Sequence, residues 1–378
     1  MRRKWLALVT LVAVCFGVLT PALAQTGAEE AIPLSLEEAM EIAVTNNLEV
    51  ALRENAIGKA KVSLREARTA ADQLDTLMEF SGATLETLQA VYVGPKAAET
   101  NLRLAELAAD YTKKGLYMAV EKAYYDVLKA QTEVALKEAA LDRAREQLRL
   151  AEASVAVGLA AKSDAMAAQV GVTSAEVQLA TAQNNLEIAM MALAKVMGRD
   201  LAERYALTTE FSFAPVEEMD LDAYLAELME KDVTVVGARE GLAIAELQFE
   251  QVKKMYTPNV YTYQQAQYDL IEAQLKYEQA KTDLVQNARQ AYLNLKTAEE
   301  AYRLLEENVT FAEETARLAA LRYEAGVATR LEMEQAFDRL NEAEAQRLGM
   351  LYNYNLAKAQ LRYGIFMGSG AGTTAGGV

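Results

Sequence analysis

Between Ala266 and Tyr323 the apolar residues recur at gaps of four and three without a break: Ala266, Leu270, Ala273, Tyr277, Ala280, Leu284, Ala288, Ala291, Leu295, Ala298, Tyr302, Leu305, Val309, Ala312, Ala316, Ala319 and Tyr323. This 3.5-residue period belongs to a helix that keeps one seam against a partner helix. At about 1.5 Å per residue, the roughly 58 residues make a rod of about 87 Å. A compact domain has no use for so long a helix, so the rod dictates the architecture.

The same seam occurs earlier, shifted by 168 positions: Ala98, Leu102, Ala105, Ala109, Thr112, Leu116, Val120, Ala123, Val127, Ala130, Val134, Lys137, Leu141, Ala144, Leu148, Ala151 and Val155. Gly158 and Gly326 keep that offset, and beyond them the seam resumes at Val172 and Leu340. Each half therefore reads as a long helix, a glycine turn and a shorter antiparallel return helix. The front of each half repeats as well, Leu36–Leu64 aligning with Leu221–Phe249. Small alanines along the seam let the rods approach closely. Residues on other faces, such as Tyr124, Tyr125, Tyr292 and Leu304, call for further helices from the other half or from other copies.

Composition supports rods and removes most chemistry. The 378 residues include 5 Pro, no His and one Cys. Without His there is no imidazole acid–base catalyst and no ordinary zinc site. No catalytic residues, metal ligands or cofactor site are expected, and the chain is not read as an enzyme. Arg2, Arg3 and Lys4 precede the apolar stretch Trp5–Leu19 and the small-residue site Ala22-Leu23-Ala24, the pattern of an export signal. Cleavage after Ala24 would remove Cys15 and take the formal net charge from −16 to −19. So acidic a chain repels nucleic acid.

Along the chain, Ser35 and Glu38 form a capping box before a helix from Leu36, and Asn46-Asn47 breaks it. A second helix is expected over Leu48–Arg68. Residues 69–95 keep helical spacing, punctuated by Gly82 and by Gly94-Pro95. The expected division is a signal at 1–24, a first repeat at 25–198 opening on a flexible lead through Pro33, and a linker with a short strand at 199–219. A second repeat at 220–365 and a disordered low-complexity tail at 366–378 complete it. The fold class is all-α, two tandem antiparallel coiled-coil hairpins forming an elongated helical barrel with little or no β.

Three features together resemble the TolC-like outer membrane efflux proteins. One is Leu34-Ser35-Leu36-Glu37-Glu38-Ala39 followed by Asn46-Asn47-Leu48-Glu49. Another is the tip pattern Val157-Gly158-Leu159 with Ser163 and Asp164, echoed by Ala325-Gly326-Val327-Ala328-Thr329-Arg330-Leu331-Glu332. The third is the duplication itself. The resemblance spans nearly all of residues 34–365. It implies an exported homotrimer of the periplasm and outer membrane, a hollow helical duct whose hairpin tips dock an adaptor protein and an inner-membrane pump. Carried over residue by residue, docking falls on Val157, Gly158, Leu159, Ser163, Asp164, Ala325, Gly326, Val327, Thr329 and Glu332.

The chain departs from the family where relatives insert a β-hairpin before each long helix. A membrane strand needs about 9–11 alternating residues. Met255–Gln265 is too short for two strands and a turn, and residues 69–95 have helical spacing with Asp75, Glu79 and Glu86. The barrel strands are expected to be absent or vestigial, which leaves membrane contact open. Tyr256, Tyr261, Tyr263 and Tyr268 fit either a membrane interface or plain packing. The expected function is an efflux duct for small molecules or polypeptides, and the alternative is an exported envelope scaffold or spacer that conducts nothing.

Overall fold

The computed structural model describes residues 32–158, 160–209, 212–216 and 219–366. The export signal, Leu159 and the tail beyond Phe366 lie outside the described residues. In chain order the elements are β1 (Ile32–Leu34), α1 (Leu36–Asn46), α2 (Leu48–Ser81), α3 (Leu85–Leu88), a π-helical turn (Gln89–Val93), α4 (Gly94–Ala156) and α5 (Lys162–Met197). The second half adds β2 (Tyr205–Leu207), α6 (Leu221–Lys231), α7 (Val233–Met255), α8 (Tyr261–Glu324) and α9 (Arg330–Tyr363).

The two rods form as their period requires. α4 has 63 residues and α8 has 64. Every seam position of both rods is buried or half-buried, and none is exposed. α4 pairs with α5 and α8 with α9, antiparallel across the glycine turns. On the α8–α9 hairpin, Val309, Ala312, Ala316, Ala336, Leu340 and Ala343 form a continuous apolar cluster.

Capping sets the shorter helices. The Ser35 hydroxyl accepts from the Glu38 amide (3.2 Å), and the Glu38 carboxylate accepts from the Ser35 amide (2.9 Å). Asn47 then caps α2 by accepting from the amides of Glu49 and Val50. In the second half Asp232 caps α7 in the same way, accepting from Thr234 and Val235 at 2.9 Å each. α2 continues past Arg68 to Ser81, since nothing in that stretch breaks it before Gly82, whose φ of 81° stops the helix.

The halves lie side by side. Near the glycine turns the lateral order is α5, α4, α9, α8; towards the other end it is α2, α4, α7, α8. Alanine and leucine dominate the seam within each hairpin; the joint between halves combines apolar packing, with Tyr352 and Leu356 of α9 against the core of the first half, with buried polar bonds. Glu240 on α7, largely buried, accepts from Lys96 (2.7 Å) and Arg103 (2.9 Å) on α4. Glu121 on α4 is 1 % exposed and accepts from the Tyr125 hydroxyl and from Arg362 of α9. Arg143 donates to the Asn341 side chain at 2.6 Å. Such bonds fix the lateral and axial register of two otherwise smooth rods.

At the waist β1 and β2 form a parallel pair, with Ile32 opposite Tyr205 and Leu34 opposite Leu207. Ile32 and Pro33 thus lie in a strand, where a flexible lead was expected. The pair is fastened by Tyr124, whose hydroxyl donates to the Leu34 carbonyl (2.9 Å) and accepts from the Thr209 amide (3.0 Å). Ala39, Ala43, Val120, Leu193 and Met197 complete this core. Phe213 stacks on Tyr302, with ring centres 4.4 Å apart, so the connection between halves is strapped to the second hairpin. Phe366 packs against that hairpin too. Among the described residues β1 and β2 are the only strands, and the two places where relatives insert strands hold α3 with the π-helical turn, and a five-residue loop.

Candidate docking site at the hairpin tips

Both tips are built by the same local rules. α4 ends at Ala156 and α8 at Glu324; Gly158 (φ 77°) and Gly326 (φ 71°) take the left-handed backbone that reverses the chain. The Gly326 amide donates to the Tyr323 carbonyl (2.9 Å) and the Val327 amide to that of Arg322 (2.9 Å), satisfying the last carbonyls of α8.

The return helices begin differently. Thr329 caps α9: its hydroxyl accepts from the Glu332 amide (3.3 Å), and the Glu332 carboxylate accepts from the Thr329 amide (2.7 Å). That amide bond holds the Glu332 carboxyl below the usual glutamate range. In the first tip the capping position is Ala161, which has no acceptor, so only half of the box forms, with Asp164 accepting from the Ala161 amide (3.1 Å). Ser163, the hydroxyl singled out in sequence, lies inside α5 on exposed surface and not at the cap.

The structure brings the two tips of one chain together. The Arg330 guanidinium donates to the Asp164 backbone carbonyl at 3.3 Å while pairing with Glu334 at 3.3 Å. Val157 and Val327 are 70 % and 75 % exposed, and Ala325 is exposed beside them. Leu331, part of the tip pattern though not among the expected docking residues, is exposed on the first turn of α9, and sequence reading missed Met166 and Val170, exposed within the first nine residues of α5. Their signal was present as apolar residues off the seam.

The long edges of the layer are apolar as well. Met166, Val170, Val177, Ile188 and Met191 stand exposed along α5, and Leu275, Leu293, Leu304, Phe311 and Leu318 along α8. Their spacings are near-multiples of a helical turn, so each set forms one stripe. Leu48, Leu52 and Val62 extend the α5 edge along α2. The layer thus carries an exposed apolar stripe along each of its outer helices.

The fold defines a class: a protein of two tandem long helical hairpins. The profile described as "Outer membrane efflux protein" matches residues 82–199 and 259–363, stretches that contain both tips, and the chain belongs to that family of the cell envelope. It is 22 % identical over 321 residues to the outer membrane protein TolC of Vibrio cholerae, covering 72 % of this chain and 73 % of that one. It is 28 % identical over 182 residues to the cobalt-zinc-cadmium resistance protein CzcC of Cupriavidus metallidurans, covering 45 % of this chain and 44 % of the relative. In fold it is similar to a membrane protein from Pseudomonas aeruginosa (TM-score 0.69, 16 % identity, 88 % of this chain and 90 % of the other). The Campylobacter jejuni CmeC outer membrane channel is similar too (TM-score 0.64, 12 % identity, 87 % and 84 %).

Proposed function

We propose that three copies of this chain close edge to edge into a hollow helical cylinder that serves as the exit duct of an export system. The observation that carries this reading is the pair of uncovered apolar stripes, one on α8 and one on α5 and α2. An open layer with two such edges is completed by joining the α8 edge of one copy to the α5 edge of the next, and repetition of that contact closes a ring. Cargo, small molecules or polypeptides, passes without chemistry. The adaptor docks at Val157, Gly158, Leu159, Ser163, Asp164, Ala325, Gly326, Val327, Thr329 and Glu332, with Met166, Val170 and Leu331 extending the surface, and a pump drives the system from the inner membrane. Exposed apolar side chains at a rod's tip favour a partner over water.

A second reading, an envelope scaffold or spacer without transport, is favoured by one observation. Residues 82–93 and 256–260 contain no strand. Deleting this chain alone and measuring dye and drug accumulation separates the two. Raised accumulation is the expected result; unchanged accumulation with altered envelope spacing would leave the scaffold reading in its place.

A further inference from the structure

Between the rods α4 and α8, two helices share one column end to end. α9 comes down from the tips and stops at Tyr363, and α7 starts at Val233 and runs on towards the far end. The first half has the same junction, where α5 stops at Met197 and α2 starts at Leu48. Asn46 closes it: its side-chain amide donates to the Met197 carbonyl (3.1 Å), and a Cβ added to Gly198 would meet that of Asn46 at 2.9 Å. In the duplication Asn46 aligns with Lys231. The Lys231 ammonium pairs instead with Glu227 (2.5 Å). α1 packs on both α4 and α5, whereas α6 packs on α7 and α8. The second junction therefore stays open, as a slot of about 630 Å³ between α4, α8 and the facing ends of α7 and α9.

The lining selects the kind of occupant. Asp232 and Asp283 contribute carboxylates. Asp232 Oδ1 caps α7, and among the described residues neither carboxylate has a cationic partner. Arg53, on the α2 side of the slot, is already paired with Glu49 (2.9 Å). The slot is thus left negative. Burial and the Asp232 carboxylate push the Tyr111 phenol up, so Tyr111 lines the slot as an uncharged ring. Leu284 and Phe366 supply apolar wall. Small-molecule sites typically enclose about 300–1,000 Å³, which suits this volume. Aromatic rings beside carboxylates favour a cation with an apolar body. A bare metal ion is a poorer fit, since no group of three or more metal-ligating side chains occurs among the described residues. We propose that this slot binds a small organic cation, its ammonium or guanidinium head at Asp232 and Asp283 and its apolar body against Tyr111, Leu284 and Phe366. The slot lies within one chain, so binding requires neither a ring of copies nor conduction and goes beyond both readings of function.

The test is titration of ethidium, a planar organic cation, into the purified exported chain, read by fluorescence polarisation, with anionic fluorescein as the control. Saturable ethidium binding at one site per chain is expected, and no fluorescein binding. Asp232→Asn with Asp283→Asn should weaken ethidium binding about tenfold or more. Asparagine keeps the cap of α7. Ala108→Phe, which fills the slot from α4 and leaves both carboxylates in place, should abolish binding. Circular dichroism should be unchanged in both, and either variant that keeps its helix content decides the matter. Asp142→Asn, at an exposed carboxylate elsewhere on α4, should bind as wild type does. An equal loss there would mean diffuse attraction to an acidic chain and would overturn the site. Absence of saturable binding, fluorescein bound as tightly, or full affinity in a folded slot variant overturns it too. None of these outcomes bears on the accumulation assay, so the two proposals fail separately.

Discussion

Arg362 Nη1 lies 3.2 Å from Glu121 Oε1, across the joint between the two halves, and the glutamate is 1 % exposed. A buried carboxylate without its cation is costly, because desolvation is no longer offset. Arg362 is itself about half exposed, which screens part of the effect. Arg362→Leu should therefore destabilise the chain by about 1–3 kcal/mol in urea unfolding. Glu121→Gln combined with Arg362→Leu should restore part of that loss. If the double variant is no more stable than the single one, the joint does not depend on this pair.

The Glu240 site gives a pH dependence of fixed sign. The Lys96 hydrogen bond, aided by Arg103, holds the Glu240 carboxyl below its usual range. A carboxyl depressed in the folded state contributes stability that is fully present above its unfolded value of about 4.3 and fades as pH falls through the folded one. Wild type should lose stability in that acid window more steeply than Glu240→Gln. Parallel curves for the two proteins would remove Glu240 from the acid transition.

Glycine at the tips has a conformational role that a substitution series isolates. At Gly158 an added Cβ meets no atom within 4 Å, yet φ is +77°. Gly158→Ala should cost roughly 1–2 kcal/mol through backbone strain alone. At Gly58, inside α2, there is equal space and no such φ, so Gly58→Ala should stabilise by roughly 0.5–1 kcal/mol. Thermal denaturation followed by circular dichroism reads both. The same sign for the two variants would contradict the tip geometry.

Much of this architecture was legible because a heptad writes itself into the chain. The seam from Ala266 to Tyr323, its twin from Ala98, both glycine turns and the Ser35–Glu38 box could be read from local spacing. The Ile32–Leu34 strand could not, since three residues show no period and their partner, Tyr205–Leu207, lies far along the chain. Local spacing carries no signal for Glu121 and Glu240, because only tertiary packing brings Arg362, Lys96 and Arg103 to them. At the first tip the sequence drew attention to Ser163, whereas the backbone places Ala161 at the cap. A hydroxyl in a tip motif identifies the turn without fixing its register.

The edges make the assembly testable one stripe at a time. Ile188 and Phe311 are exposed on opposite edges of the single chain. Ile188→Glu and Phe311→Glu should each leave the helical circular dichroism intact while lowering the molar mass in solution, because a charge buried in a close helix contact is unfavourable. Should helix content fall in step with mass, the stripes would be folding surfaces of one chain.

The mass of the assembled protein tests the cylinder most directly. Multi-angle light scattering on the exported chain at micromolar concentration should give three chain masses, stable on dilution and reduced by either edge variant. A single chain mass across that range would contradict the closed duct.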